Sequence, residues 1–154
     1  MKKVVIAIDS FKGCLASVEV GQAATEGVKA VFPDCEICML PVADGGEGML
    51  DVLVTATKGH YVSIQAHGPL MELREARYGI SGDGKTALIE MAAISGLPLV
   101  PPDKRNPMLT TTFGTGELIK DALERGCREF VIGIGGSATN DAGLGMLQAL
   151  GFRF

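Results

Sequence analysis

Residues 130–141, Phe130-Val131-Ile132-Gly133-Ile134-Gly135-Gly136-Ser137-Ala138-Thr139-Asn140-Asp141, run from an apolar segment into paired glycines and then into hydroxyls, an amide and a carboxylate. Phe130–Ile134 predicts a strand. The glycines after it predict a tight loop, and Asp141–Leu150 predicts the helix that follows. Just upstream, Thr115–Arg125 predicts another helix, closed by Gly126. Strand, loop and helix in this order are the repeating unit of an α/β fold. Ligands of such folds sit at the loops beyond the carboxyl ends of the strands.

The same unit occurs twice near the amino terminus. Val4–Ile8 predicts a strand and 9–13 a loop. A helix then begins with Ser17 as its N-cap and Glu19 in its first turn; Ala23, Ala24, Val28 and Val31 keep helical spacing until Pro33 stops it. Ile37–Leu40, the loop 43–48 and a helix over Met49–Thr57 repeat the unit. The rhythm then changes. Tyr61–His67, Glu72–Tyr78 and Thr86–Met91 mix polar and apolar residues between glycine turns, which predicts antiparallel hairpins with one exposed face. Four prolines within 97–107 predict an irregular connector. The expected architecture is α/β: a Rossmann-like parallel sheet with an inserted second α/β region of more antiparallel character. Residues 1–60 form the first part of the Rossmann-like domain, and 61–154 the connector and the start of a second domain. Residues 151–154 begin an element that does not close, so the chain reads as a piece of a longer one.

Composition narrows the function. With 47% hydrophobic residues, 154 residues can bury a core. The net charge of −4 and the absence of Trp argue against a nucleic-acid partner. No apolar run approaches the roughly 20 residues of a membrane span, and the five apolar residues Val4–Ile8 are too short for the core of a secretory signal. A cytoplasmic protein with no membrane partner is expected. Glycine, 21 of 154 residues, is enriched without any repeat, which places it in ordered loops and close approaches. Cys35 and Cys38 form a C-x-x-C pair, but the pair opens an apolar strand rather than a helix, so both are expected to be small packed side chains.

Two glycine motifs compete for a phosphate. Gly79–Thr86 fits G-x-x-x-x-G-K-[ST], the P-loop pattern, whose mechanism needs a buried parallel strand before it and a helix after it. Glu72–Arg77 is too charged for such a strand, so this match is expected to be a hairpin turn. Gly133–Ala138 fits G-x-G-x-x-A, which leaves a dinucleotide-binding oxidoreductase as an alternative; its backbone N–H groups would equally suit phosphate. Further loops at strand ends carry acids, a lysine and hydroxyls: 9–12, 44–48 and 110–117. Paired carboxylates suit a general base or Mg²⁺, and a lysine suits a phosphoryl or carboxylate group.

The blocks IDSFKG (8–13), LPVADGGEG (40–48), 76–101, RNPMLTTTFGTGELI (105–119) and GIGGSATNDAGLGMLQALG (133–151) resemble the bacterial glycerate kinases of the kinase I type, a two-domain family distinct from P-loop kinases. The resemblance runs end to end but covers only the amino-terminal part of the family's chains. It implies ATP-dependent phosphorylation of D-glycerate with Mg²⁺, with 2-phosphoglycerate as the expected product. On these blocks, Asp9, Lys12 and Asp44 are the candidate catalytic residues, with Asp44 or Asp9 accepting the glycerate hydroxyl proton or holding Mg²⁺. Ser10, Gly45, Gly46, Glu47, Thr115, Gly135, Gly136, Ser137, Thr139, Asn140 and Asp141 are the candidate substrate- and phosphate-binding residues. These residues alone are expected to lack activity, and to form homo-oligomers or associate with the remaining carboxyl-terminal half.

Overall fold

In the computed structural model, which describes residues 2–11 and 14–154, Lys3–Ile8 forms β1 and Glu36–Pro41 forms β2. They pair in parallel, from Lys3 opposite Glu36 to Ile8 opposite Pro41. The crossover helix α1, Ser17–Val31, packs on both strands and buries Val20. Its N-cap is Ala16 and not Ser17, which is the first, buried residue of the helix. Alanine has no side-chain acceptor. Glu19 satisfies a different donor, its Oε2 accepting the N–H of Ala16 itself at 2.8 Å.

The second sheet joins segments that the sequence reading kept apart. Strands β3 (His60–His67), β4 (Leu73–Ile80), β5 (Thr86–Glu90) and β6 (Glu129–Gly133) lie in that order. The first three are antiparallel, whereas β5 and β6 run parallel. The hairpin region and the resumed α/β unit are therefore one mixed sheet. Helix α2, Met49–Ala56, covers one face through Leu50 and Val54 against Leu88. On the other face Val62, Ala66, Ala76, Tyr78, Ile80, Ala87 and Ile89 pack against Ile94 of the short helix α3 (Ala92–Ser95) and Leu118, Ile119 and Ala122 of α4 (Phe113–Glu124). Helix cover on both faces explains why β5 is apolar at consecutive positions. Tyr78 is fully buried, and its hydroxyl donates to Asp121 Oδ2 at 2.6 Å. The proline-rich connector holds two single 3-10 turns, Leu97–Leu99 and Pro102–Lys104.

The P-loop look-alike is a hairpin turn. Gly79 and Ile80 end β4, Thr86 begins β5, and between them Ser81 N–H donates to Thr86 O at 2.9 Å. Asp83 Oδ1 accepts from Ser81 Oγ and from Lys85 N–H, which ties the turn to itself and leaves Lys85 exposed.

The final helix, α5, spans Leu144–Ala149 and begins three residues later than expected. Asp141 fills the gap. Its Oδ2 accepts from Thr112 N–H and Thr112 Oγ1, both at 2.8 Å, and from Gly145 N–H at 3.1 Å, while Oδ1 accepts from Gly143 N–H. Thr112 Oγ1 in turn accepts from Met146 N–H at 2.9 Å. One carboxylate thus caps α5 and pins it to the start of α4. Burial opposes its ionisation, but the Thr112, Gly145 and Gly143 donors hold the Asp141 carboxyl below the usual range. A depressed folded pKa stabilises the fold above the unfolded value, near 3.9, and the contribution is lost as pH falls through the folded value. Asp141→Ala should therefore lower unfolding stability by about 2 kcal/mol at pH 7. In urea titrations the gap to the parent protein should close as pH falls below about 4. A gap independent of pH would contradict the ionised cap.

Candidate active site

The parallel pairs β1–β2 and β5–β6 send four loops past their carboxyl ends. Two of these loops are locked together at backbone level. Gly135 N–H donates to Gly45 O at 3.0 Å. A methyl group on Gly135 would stand 2.7 Å from Gly46 Cα, and one on Gly133 only 2.5 Å from Gly45 O. The 133–135 side of the seam therefore has no room for a side chain. The 44–48 loop also needs glycine for its shape, since Gly45 and Gly48 have φ of 90° and 86°. Gly48 caps α2, and Glu90, at the end of β5, reaches the same helix start, its Oε2 accepting from Leu50 N–H at 3.1 Å.

Around this seam the candidate residues fall into groups. Asp44 is exposed, and its Oδ1 accepts from Gly46 N–H at 3.0 Å, an Asx turn that orients the carboxylate. Asp9 is half-buried, with Oδ1 accepting from Ser10 N–H at 2.7 Å. Ser10 and Glu47 line a cleft of about 800 Å³ between the first sheet and α2, with Glu90 also in its wall. Lys12 lies outside the described residues. Ser137 and Thr139 line a second, smaller pocket of about 240 Å³, opposite Arg105 and Asn106 of the connector. Their hydroxyls share a hydrogen bond of 2.7 Å. Asn140 is exposed beside them, and Gly136, with φ of 73°, gives its carbonyl to Leu97 N–H.

Two candidates belong to the framework instead. Thr115 is 1% exposed, and its hydroxyl pairs with Ser95 Oγ at 2.9 Å beneath the loops. Asp141 has both carboxylate oxygens engaged by the α4–α5 cap. The hydroxyl-rich loop 110–117 is accounted for in the same way. Thr110 Oγ1 donates to Ala138 O at 2.7 Å, Thr111 Oγ1 accepts from Phe113 N–H, and Thr112 joins Asp141. These hydroxyls tie α4 to the glycine loop.

The dinucleotide reading of 133–138 is not supported. That fingerprint needs its glycine turn to open directly into a helix. Here α5 begins only at Leu144, and the N–H groups of Gly135, Ala138 and Thr139 are taken by Gly45 O, Ser95 O and Ser137 Oγ.

Sequence reasoning missed two residues. Glu90 is buried, and burial pushes its carboxyl pKa up, partly offset by the Leu50 and Gly48 N–H donors. The signal was a single acid closing the apolar run Ala87-Leu88-Ile89, the same form as Asp9 after Val4–Ile8. Arg105 sits in the connector, where proline content concealed its position opposite Ser137.

Comparison with known proteins agrees with this arrangement. The family model described as Glycerate kinase family matches residues 4–154. A glycerate kinase of Haemophilus influenzae is 58% identical over 151 residues, covering 98% of this chain and 40% of the relative. A glycerate 2-kinase of Escherichia coli is 56% identical over 151 residues, with the same coverage of 98% and 40%. A crystal structure from Salmonella typhimurium LT2, described provisionally as a glycerate kinase 2, superposes with a TM-score of 0.81 at 52% identity, covering 97% of this chain and 40% of that one. The chain thus spans about 40% of the length of these relatives. With 151 of its residues inside the family match, it belongs to the glycerate kinase family.

Proposed function

We propose that the protein carrying these residues transfers the γ-phosphoryl group of ATP to D-glycerate, giving 2-phosphoglycerate and ADP. The observation that carries this reading is the family match together with the seam that gathers the 44–48 and 133–139 loops at the strand ends. The name of the Escherichia coli relative, a glycerate 2-kinase, favours the 2-phospho product. In the transfer, the glycerate 2-hydroxyl oxygen bonds to the γ-phosphorus as the bond to the ADP oxygen breaks. The hydroxyl proton passes to a carboxylate, Asp44 or Asp9. Phosphoryl transfer asks the protein chiefly to position groups and neutralise charge. Lys12 supplies that charge in this reading.

The two carboxylates also fit Mg²⁺. It is a hard cation, usually bound by one or two carboxylates together with substrate phosphates, so Asp44 and Asp9 need no third acid beside them. When bound, it would neutralise phosphate charge. Asp44, fixed by Gly46 N–H, and Asp9, fixed by Ser10 N–H, present oriented oxygens for it.

Among the described residues no helix is long and apolar enough to cross a membrane, and the setting we assign is cytoplasmic. Val5 and Leu40 of the first sheet are 56% and 49% exposed. They are apolar positions that the rest of a longer chain would cover, and activity is assigned to that longer chain.

In the natural gene product, ADP release measured by a coupled assay should require both D-glycerate and Mg²⁺. ADP release that ignores D-glycerate would overturn the assignment. In the same assay Lys12→Ala should lower kcat by at least about 10²-fold, the scale of losing one transition-state charge stabiliser. Lys85→Ala should leave it nearly unchanged, because Lys85 sits on a hairpin turn. Loss of turnover in Lys85→Ala with normal turnover in Lys12→Ala would reinstate the P-loop.

A further inference from the structure

The small pocket beside the glycine loop has a donor set of one kind. Its walls are Leu97, Val100 and Pro107 on one side, and its polar groups come from Arg105, Asn106, Thr110, Ser137 and Thr139. Among the described residues no Asp or Glu lines it. Arg105 Nε donates to Val100 O at 3.3 Å, a bond that does not use the two terminal guanidinium nitrogens. Among the described residues these nitrogens meet no carboxylate, since none of the ion pairs involves Arg105. Asn106 accepts the Met108 N–H through Oδ1 at 3.0 Å, so its amide NH₂ remains as a donor.

The frame around these donors is fixed. Leu97 N–H donates to Gly136 O and Ala138 N–H to Ser95 O, both at 2.9 Å, while Thr110 Oγ1 ties the connector to Ala138 O. Connector and glycine loop are therefore joined on both sides of the pocket. A guanidinium, an amide NH₂ and the one hydroxyl proton left over from the Ser137–Thr139 bond, without an acid, are the chemistry of an oxyanion site.

The geometry points to this pocket as the seat of the substrate's carboxylate, with Arg105 as the residue that selects a hydroxy acid over a neutral polyol. The inference rests on the glycerate kinase reading and assigns a part of it that the family match does not. Two observations favour carboxylate over phosphate. The loop N–H groups of Gly135, Ala138 and Thr139 are already bonded within the protein, which removes three of the five backbone donors that residues 135–139 would offer a phosphate. One planar guanidinium fork also matches a planar monoanion, whereas a phosphate of higher charge generally draws further cations. The volume of about 240 Å³ suits the carboxylate end of a small acid and is too small for a nucleotide.

The test is steady-state kinetics on the natural gene product with Arg105→Ala and Arg105→Lys. Arg105 is exposed, and its one internal bond is to a carbonyl, so both variants should keep the parent's melting temperature. Arg105→Ala should raise the KM for D-glycerate at least ~10-fold, the scale of one charge-assisted contact. It should leave the KM for ATP and kcat within about threefold. Arg105→Lys should recover part of the loss, and the preference for D-glycerate over glycerol should shrink in Arg105→Ala. An unchanged KM for D-glycerate would overturn the proposal, and a rise confined to the KM for ATP would assign the pocket to phosphate. Calorimetric titration with D-glycerate needs no turnover and separates the two readings. If the parent protein binds D-glycerate but does not phosphorylate it, the kinase reading fails and the Arg105 variants still decide the pocket. If Arg105→Ala binds D-glycerate as tightly as the parent, or the parent does not bind it, the pocket assignment fails.

Discussion

The contact between Gly45-Gly46 and Gly133–Gly135 is the constraint on which the rest of the site depends. Two loops that are ninety residues apart in sequence meet backbone to backbone, with the Gly135 N–H donated to Gly45 O. The contact has no room for a Cβ at Gly135 or Gly133. Each partner is set by its own strand: β6 delivers Gly133 beside β5, and Glu90 at the end of β5 holds the start of α2 through Leu50 N–H. The 44–48 loop is thereby clamped from two sides, by Gly135 above its glycines and by Glu90 behind its helix. Asp44 and Glu47 project from a loop whose backbone is already fixed, which is the condition for placing charge around a phosphoryl group.

Polar residues near the glycine loop divide into those that build it and those that face outward. Asp141, Thr110, Thr111, Thr112, Thr115 and Ser95 hydrogen-bond to one another or to backbone, and most are buried or half-buried. Ser137, Thr139, Asn106 and Arg105 line open space, and Thr110 borders it as well. The first group ties α4, α5 and the loop 134–143 into one body. The second group inherits its geometry from that body, so a pocket with few internal bonds of its own can still be preorganised.

Much of this was legible in the amino-acid order because local patterns and tertiary placement agree there. Apolar runs ending in polar or glycine residues marked β1, β2 and β6, and the charged segment 72–77 correctly argued that the G-x-x-x-x-G-K-T match closes a hairpin. The joining of β5 to β6 was not legible. Five residues, Thr86–Glu90, carry no mark of being antiparallel to one neighbour and parallel to the other. The roles of Thr115 and Asp141 were hidden for a related reason. A hydroxyl or carboxylate at a helix start has the same letters whether it faces a ligand or a buried neighbour, and only the position of Ser95 or Thr112 decides. Arg105 was obscured by the reverse effect, since a proline-rich connector reads as mere linkage until its fold-back onto Ser137 is seen.

The glycine seam can be tested by one comparison of kcat/KM for D-glycerate-dependent ADP release in the natural gene product, between Gly135→Ala and Gly27→Ala. Gly27 lies in α1 with open space at its Cβ position, so alanine is accommodated there. At Gly135 the same methyl would meet Gly46 Cα at 2.7 Å and must push the loops apart, a strain of order 1–3 kcal/mol at the point where they meet. The account predicts that Gly135→Ala loses at least about tenfold in kcat/KM while Gly27→Ala matches the parent protein. Equal activity in the two variants would contradict it.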